Sequence, residues 1–380
     1  MGLQAGSPTR AGMASSIPPT IGRNVRRIAC RPILPGDQAA PVWQFGADVA
    51  IELLPVVSSG LHRGTSLPQP DKSNAPGVHH YIPIFYTKRW ACGHPRMLTR
   101  FTRWPSGNFA VDRKAPKGVG WERDGYSFDG FTGDQAAAIE LELMKPKDHR
   151  ASQMLRRLEQ RGSSGPWSSE ERYDWTWFIV SLLVRGPEDV RSAKANISRE
   201  WAIPNQRMEA RYQDVIREFP GFAAPPSLRD YIASMDENYG YRLGMKIMAD
   251  MTDHHAISSL IANMHWGVRA VDEGRQLLTS DRPVRLEFPL RSEKSFLTLP
   301  IGPRLLFLAA KSLRGLNRLL NSDLRVLVER NNRKVVRQAR QFAFAADDSE
   351  RNWVSKHLAK EPQPGFFDFI RGTGATLGEA

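Results

Sequence analysis

The run Trp175-Thr176-Trp177-Phe178-Ile179-Val180-Ser181-Leu182-Leu183-Val184 constrains this chain more than any other stretch, because as a helix it is apolar on every side. A helix without a polar face has to be enclosed by other protein. Ser168 or Ser169 opens it. Arg185-Gly186-Pro187 closes it with a cation near the carbonyl end of the dipole, a glycine suited to a left-handed cap and a proline that cannot continue the helix.

The neighbouring segments read as the helices that enclose it. Residues 134–144 form a helix capped by Asp134 and stopped by Lys145-Pro146, and 151–160 form a second that ends in a Gly-Ser linker. Residues 188–201 put Val190, Ala193, Ile197 and Trp201 on one face, and two further helices cover 207–219 and 227–261. On either side of this middle the period changes to that of strands. Residues 98–104 and 109–114 read as a hairpin around Pro105-Ser106-Gly107-Asn108, and strands follow at 265–271, 276–280, 295–300 and 304–309. A long helix over 322–340, a strand at 342–345 and a short helix at 349–358 complete the pattern. The expected fold is α+β, a helical middle with an antiparallel sheet formed from N-terminal and C-terminal strands.

Length and composition set the limits. With 380 residues, 41% of them hydrophobic, the chain can bury a large core. No apolar run approaches the roughly 18 residues that cross a membrane, and no apolar segment of a secretory signal opens the chain, so no membrane partner and a cytoplasmic location are expected. Residues 1–76 alternate short apolar pieces with Ser, Gly and Pro and read as a disordered leader, with Met13 an alternative start. Residues 77–360 read as a single α+β domain and 361–380 as a flexible tail. The two cysteines, Cys30 and Cys92, have no spacing that suggests a zinc site or disulfide framework. A formal charge of +13 favours phosphate-bearing partners, nucleic acid among them, without dictating a fold.

The candidate chemistry gathers around a few polar residues. His79-His80 precedes a dense basic and aromatic run that ends at Trp90, and imidazole is both a general base and a metal ligand. On a regular strand neighbouring side chains point to opposite faces, so the pair cannot chelate one ion; one ring, His80, is expected to face a cleft and the other to pack. Asp281 ends a strand before Arg282-Pro283 and reads either as a functional carboxylate or as one folded back on its own backbone. Glu140 lies on a helix and, if buried, needs a cation, for which Arg185 is the candidate. We therefore expect His79, His80, Glu140, Arg185, Asp281 and Asn331 to line one polar cleft, with His80 and Asp281 as ligands if a divalent metal is the cofactor. His265, before Trp266, is expected to be an interior hydrogen bonder. The residues Arg325, Arg333, Arg337 and Arg340 read either as a nucleic-acid-binding stripe or as a solvated helix face.

Several of these pieces resemble, in order, an uncharacterised and mainly bacterial family, the domain of unknown function 4238. They are His79-His80-Tyr81-Ile82-Pro83 with Phe85-Tyr86 and Arg89-Trp90-Ala91; Ile139-Glu140; Thr279-Ser280-Asp281-Arg282-Pro283-Val284; Leu299-Pro300-Ile301-Gly302-Pro303; and Asn331 or Asn332 ahead of Val335 and Ala339. Trp90 stands where phenylalanine is usual. The resemblance spans residues 79–358 and implies a domain rather than a reaction. The most concrete activity these residues suggest is a divalent-metal-dependent phosphodiesterase or nuclease, the alternative being a non-catalytic nucleic-acid- or protein-binding module with a basic surface. Against the enzyme stand the lack of an Asp-x-x-x-x-Glu-x-Lys-like core, a His-Asp dipeptide or a Gly-rich phosphate loop.

Overall fold

The computed structural model describes residues 77–127, 139–162, 165–218, 225–252, 255–272 and 274–362. Strand β1 (Val78–His80) leads through helix α1 (Ile84–Thr87) to the hairpin of β2 (Leu98–Arg103) and β3 (Phe109–Lys114), and β4 (Trp121–Arg123) returns to pair with β1. A π-helical turn (Ile139–Met144) runs directly into α2 (Lys145–Arg161). Helices α3 (Ser169–Val184), α4 (Pro187–Ala202), α5 (Gln206–Glu218), α6 (Leu228–Ala233), α7 (Tyr239–Thr252) and α8 (His255–Ala262) follow. Next come β5 (His265–Ala270), β6 (Thr279–Ser280), β7 (Arg285–Glu287), β8 (Phe296–Gly302) and β9 (Leu305–Ala310). Helices α9 (Leu313–Leu320) and α10 (Leu324–Arg337), strand β10 (Phe342–Ala345) and helix α11 (Arg351–His357) complete an α+β fold.

Every pairing among the described strands is antiparallel. The strands form a ribbon of β1 and β4, a four-stranded sheet in the order β3-β2-β10-β6, and a second in the order β5-β9-β8-β7. The first four-stranded sheet joins strands from before and after the helices, as expected. The second is drawn wholly from the C-terminal half.

That second sheet explains how α3 is enclosed. Strand β9 reads Leu305-Leu306-Phe307-Leu308-Ala309-Ala310, a continuous apolar run of the kind found where both faces of a sheet are covered. Phe307 and Ala309 face the central core, where Phe307 meets Trp175 of α3 edge-on at 5.6 Å between ring centroids. Leu306, Leu308 and Ala310 face the other way, into a cluster with Leu316 of α9 and Leu327 and Val328 of α10. Trp175, Trp177, Phe178, Ile179 and Leu182 of α3 are all buried, which is what a helix without a polar face requires. A further cluster, including Trp201, Tyr212, Tyr231 and Tyr239, packs α4, α5, α6 and α7 together.

Helix α3 begins at a complete capping box. Ser168 Oγ accepts from the Glu171 N–H at 3.1 Å, and the Glu171 carboxylate accepts from the Ser168 N–H at 2.9 Å. Its other end departs from expectation. Gly186 is not a left-handed cap: its φ is −62°, and it serves as the N-cap of α4. Glycine is needed there because a Cβ would lie 2.8 Å from both Arg282 Nη2 and Asp189 Oδ2. Lys145-Pro146 does not stop a helix either. Pro146 occupies the first turn of α2, and the π turn joins on without a break. Residues 227–261 are divided among α6, α7 and α8, and α9 and β7 are additional to the expected elements. His265 is exposed and its neighbour Trp266 buried, the reverse of an interior histidine. The expected leader, the Asp134 cap and the end of the tail lie outside the described residues. Among the described residues no helix is long and apolar enough to cross a membrane.

Candidate functional site

The β1–β4 ribbon separates the two adjacent histidines. The register pairs His79 with Glu122 and His80 with Trp121, so the two rings leave opposite faces. His79 is buried and stacks in parallel on Tyr126, with centroids 5.6 Å apart and 4° between the ring planes. Its Nδ1 accepts the Tyr126 N–H at 2.9 Å, so its ring proton resides on Nε2. Burial lowers its pKa and keeps the ring neutral. Gly77 accommodates this ring: a Cβ there would lie 2.8 Å from His79 Nε2.

His80 sits differently. Its Nε2 lies 3.3 Å from the Lys117 carbonyl oxygen, and since a carbonyl only accepts, Nε2 carries the proton and Nδ1 the lone pair. Burial lowers its pKa; the Lys117 carbonyl and the charge of Asp148 act against that, and Arg185 reinforces it. The result is a neutral imidazole whose Nδ1 has no hydrogen-bond partner among the described residues.

Arg185, at the end of α3, is the centre of the surrounding charges. Its side chain is fully buried, with Nη1 at 3.1 Å from Asp148 Oδ1 and 3.4 Å from Oδ2. Its Nε and Nη2 are buried without a hydrogen-bond partner among the described residues. The Arg185 carbonyl accepts from the Tyr126 hydroxyl at 2.9 Å, which ties the ring stacked on His79 to the same corner. Asp148 lies in the first turn of α2, the end of a helix that favours a carboxylate. Burial pushes its pKa up, and Arg185 opposes the rise. Glu140, on the π turn, is also raised, first by burial and then by the negative charge of Asp148, with Lys145 and Arg185 pulling it back. His80, Glu140, Asp148 and Arg185 therefore form one electrostatically connected group.

Asp148 is the member that the sequence reading leaves out. Taking Lys145-Pro146 as a stop removes it from any helix, whereas a proline in a first turn followed by an acid is itself a helix-start signal. The expected partnership also changes: the carboxylate hydrogen-bonded to Arg185 is that of Asp148, not Glu140.

Asp281 and Asn331 have other occupations. Asp281 Oδ1 accepts from the Arg340 N–H at 2.9 Å, while Oδ2 accepts from Gln341 at 2.7 Å and Phe342 at 2.9 Å. The carboxylate holds the chain where α10 gives way to β10, a backbone-directed role. Asn331 Oδ1 accepts from Thr298 Oγ1 at 2.7 Å, linking α10 to β8. Its neighbour Asn332 clamps a second segment, accepting from Leu278 N at 2.9 Å and donating to the Gln276 carbonyl at 2.7 Å. Of the basic residues, Arg333 pairs with Glu329 at 2.7 Å and Arg337 with Glu361 at 2.5 Å; Arg325 is exposed, and Arg340 lies past the end of α10 with its Nε buried. Among the described residues no three His, Cys, Asp or Glu side chains gather as a metal site.

The aromatic residues of the opening motif are structural. Tyr86 donates its hydroxyl hydrogen to the Pro300 carbonyl at 2.7 Å and meets Thr279 Oγ1 at 2.8 Å, and Trp90 Nε1 donates to the Leu277 carbonyl at 2.8 Å. These contacts join the segments recognised together in the sequence. A family model described as protein of unknown function (DUF4238) matches residues 78–349, and the chain belongs to that family. No curated protein and no solved structure matches it.

Proposed function

We propose that this member of the DUF4238 family binds a phosphate-bearing ligand at the group of His80, Glu140, Asp148 and Arg185, and that His80 transfers a proton there. The observation that carries the reading is the pair of buried donors on Arg185, Nε and Nη2, that the described residues do not satisfy. Nε–H and Nη2–H form the edge of a guanidinium that matches two oxygens of a phosphate or carboxylate. A buried charged donor without an acceptor is costly, and an anion on that edge removes the cost. Asp148 already neutralises one side of the cation and fixes its plane.

The reaction class that fits is hydrolysis of a phosphate ester. His80 Nδ1 would accept the proton of the attacking water, its tautomer held by the Lys117 carbonyl. Arg185 would balance charge gained on the phosphate oxygens. Glu140, raised in pKa, would hold a proton more readily than an ordinary carboxylate and give it to the leaving oxygen. The binding-module alternative has less support, because Arg333 and Arg337 of its proposed stripe are already paired with carboxylates.

Binding and turnover test this separately. Inorganic phosphate and bis(p-nitrophenyl) phosphate are titrated calorimetrically, and hydrolysis of the ester is followed with a chelator and with magnesium or manganese added. Arg185→Lys keeps the charge beside Asp148 but lacks the two-donor edge, so it should weaken phosphate binding by about tenfold or more. His80→Gln can still donate to the Lys117 carbonyl but cannot take a proton; it should bind phosphate normally and lose turnover. Wild-type protein that takes up neither phosphate compound sinks the reading, as does Arg185→Lys binding them as well as wild type.

A further inference from the structure

An open surface depression of about 410 Å³ lies where Arg172 of α3, the 262–266 segment between α8 and β5, and Leu313 and Leu316 of α9 meet. None of the four residues in the His80 group lines it. Arg172 is half-buried and held rigidly: Nε donates to the Ala262 carbonyl and Nη2 to the Met264 carbonyl, both at 2.6 Å, and the guanidinium lies 4.0 Å from the centroid of Trp266. Both acceptors are neutral. Among the described residues Arg172 has no carboxylate partner, although the guanidinium is desolvated enough for burial to lower its pKa. Among the described residues its Nη1 is the guanidinium nitrogen left without a hydrogen bond.

The remaining walls show what kind of molecule fits. His265 is exposed at the depression and adds a second polar group beside Arg172. Leu313 and Leu316 of α9 supply the aliphatic part of the lining, and Leu313 is 55% exposed although it is a large aliphatic side chain at the first position of a helix. A half-buried cation with no carboxylate partner among the described residues favours an anion, and an exposed leucine in the same lining favours an apolar body over a bare inorganic ion. The volume falls within the range of small-molecule sites.

We infer that this depression is a second ligand site, for a small organic anion with an apolar body, whose acidic group meets Arg172 and whose apolar part lies on Leu313 and Leu316. The inference rests on the depression, the cation and the aliphatic wall, and stands independently of the proposed activity at His80.

The experiment uses the full chain and isothermal titration with octanoate as the probe, with 1-octanol and inorganic phosphate as comparisons. Octanoate should bind saturably at one site, and more tightly than either comparison compound. Leu313→Glu replaces the exposed apolar wall with a like charge at a helix position that accepts an acid, so folding should persist by circular dichroism while octanoate affinity falls about tenfold or more. Arg172→Gln should lose the preference for octanoate over 1-octanol. Absence of saturable octanoate binding to wild type overturns the proposal, and so does unchanged affinity in Leu313→Glu. Equal affinity for 1-octanol overturns the anionic requirement, and equal affinity for phosphate overturns the apolar one.

Discussion

The sharpest test of how the motif residues divide between structure and chemistry is Asp281. Its carboxylate accepts three backbone N–H groups, from Arg340, Gln341 and Phe342, at 2.7–2.9 Å. Hydrogen bonds to a charged acceptor contribute about 1.5–3 kcal/mol each, and a donor left without a partner in a buried site costs about 1–3 kcal/mol. The three donors are only partly buried, so water recovers some of that loss. Asp281→Ala should therefore destabilise the protein by about 3–6 kcal/mol, placing it among the large single-residue effects. Asp281→Asn has one acceptor oxygen; turned toward Gln341 and Phe342 it keeps two neutral bonds, but its amide then faces the Arg340 N–H. Its cost should be about half that of alanine. Urea unfolding followed by circular dichroism measures both, from the shift in midpoint at constant slope. Phosphate titration of Asp281→Asn should match wild type, because the carboxylate serves the backbone. Asp281→Ala within about 1 kcal/mol of wild type, together with loss of phosphate binding, would refute the reasoning and return Asp281 to the site.

Gly186→Ala forces a Cβ to within 2.8 Å of Arg282 Nη2 and Asp189 Oδ2, so the buried pair or the start of α4 has to shift. The expected loss is about 1–3 kcal/mol, read as a lower thermal midpoint. The histidines give a pH dependence of defined sign. His79 and His80 both have folded pKa values below their ordinary 6.5, so the unfolded chain takes up protons first. Their contribution to stability is complete above pH 6.5 and declines as pH falls from there through the lowered folded values. Glu140 and Asp148, with raised values, work in the opposite sense at lower pH: acidification toward their ordinary 4.5 and 3.8 adds stability. Urea midpoints should thus fall between pH 7.5 and 5.5, and fall less in His79→Asn, whose side-chain oxygen can still accept the Tyr126 N–H. An equal fall in that variant would remove His79 as a source of the effect.

The elements that were legible in sequence are those whose signal is local. The capping box at Ser168, the period-2 hairpin of β2 and β3, and the four-residue face of Val190, Ala193, Ile197 and Trp201 each need only their own segment to be recognised. What was not legible depends on partners far along the chain. The helix does stop at Val184, but Gly186 looked like its left-handed cap because the sequence cannot show that Arg282 lies over it. Lys145-Pro146 looked like a break because a proline that ends one helix and a proline that begins the next have the same local signature. In the candidate site, the division of roles between His79 and His80 followed from strand alternation, whereas Asp148 required knowing where α2 starts. Asp281 carried two readings, a functional carboxylate or one folded back on its own backbone; the three donors it meets come from residues 340–342, an arrangement that local sequence could not show.

The corner Arg185-Gly186-Pro187-Glu188-Asp189 shows why the family motifs need not all touch ligand. On one side, Arg185 reaches Asp148 and, through its carbonyl, Tyr126 and the ring of His79. On the other side, the buried carboxylate of Asp189 pairs with Arg282, which also lies 3.7 Å from Glu188. The residues around Arg282 are fully committed to holding the C-terminal half. Ser280 Oγ donates to the Val335 carbonyl at 2.9 Å, and Gln338 Nε2 donates to the carbonyls of Arg282 and Val284 at 2.6 and 2.8 Å. A buried ion pair is costly to assemble and more costly to break by removing one member. The Ser-Asp-Arg-Pro-Val segment therefore acts as a bracket: it fixes the end of α10 from one side and the α3–α4 corner from the other. Because Arg185 stands on that corner, the position of its guanidinium depends on a segment that lies outside the site. Arg282→Leu should accordingly lower stability by removing its buried ion pair with Asp189 and should also weaken phosphate binding, although Arg282 is not among the residues proposed to touch the anion. The paired substitution Arg282→Leu with Asp189→Leu removes both charges, and recovery of stability with phosphate binding still impaired would separate the bracket's effect on geometry from its effect on folding. Phosphate affinity unchanged in both variants would show that the corner holds Arg185 without help from Arg282.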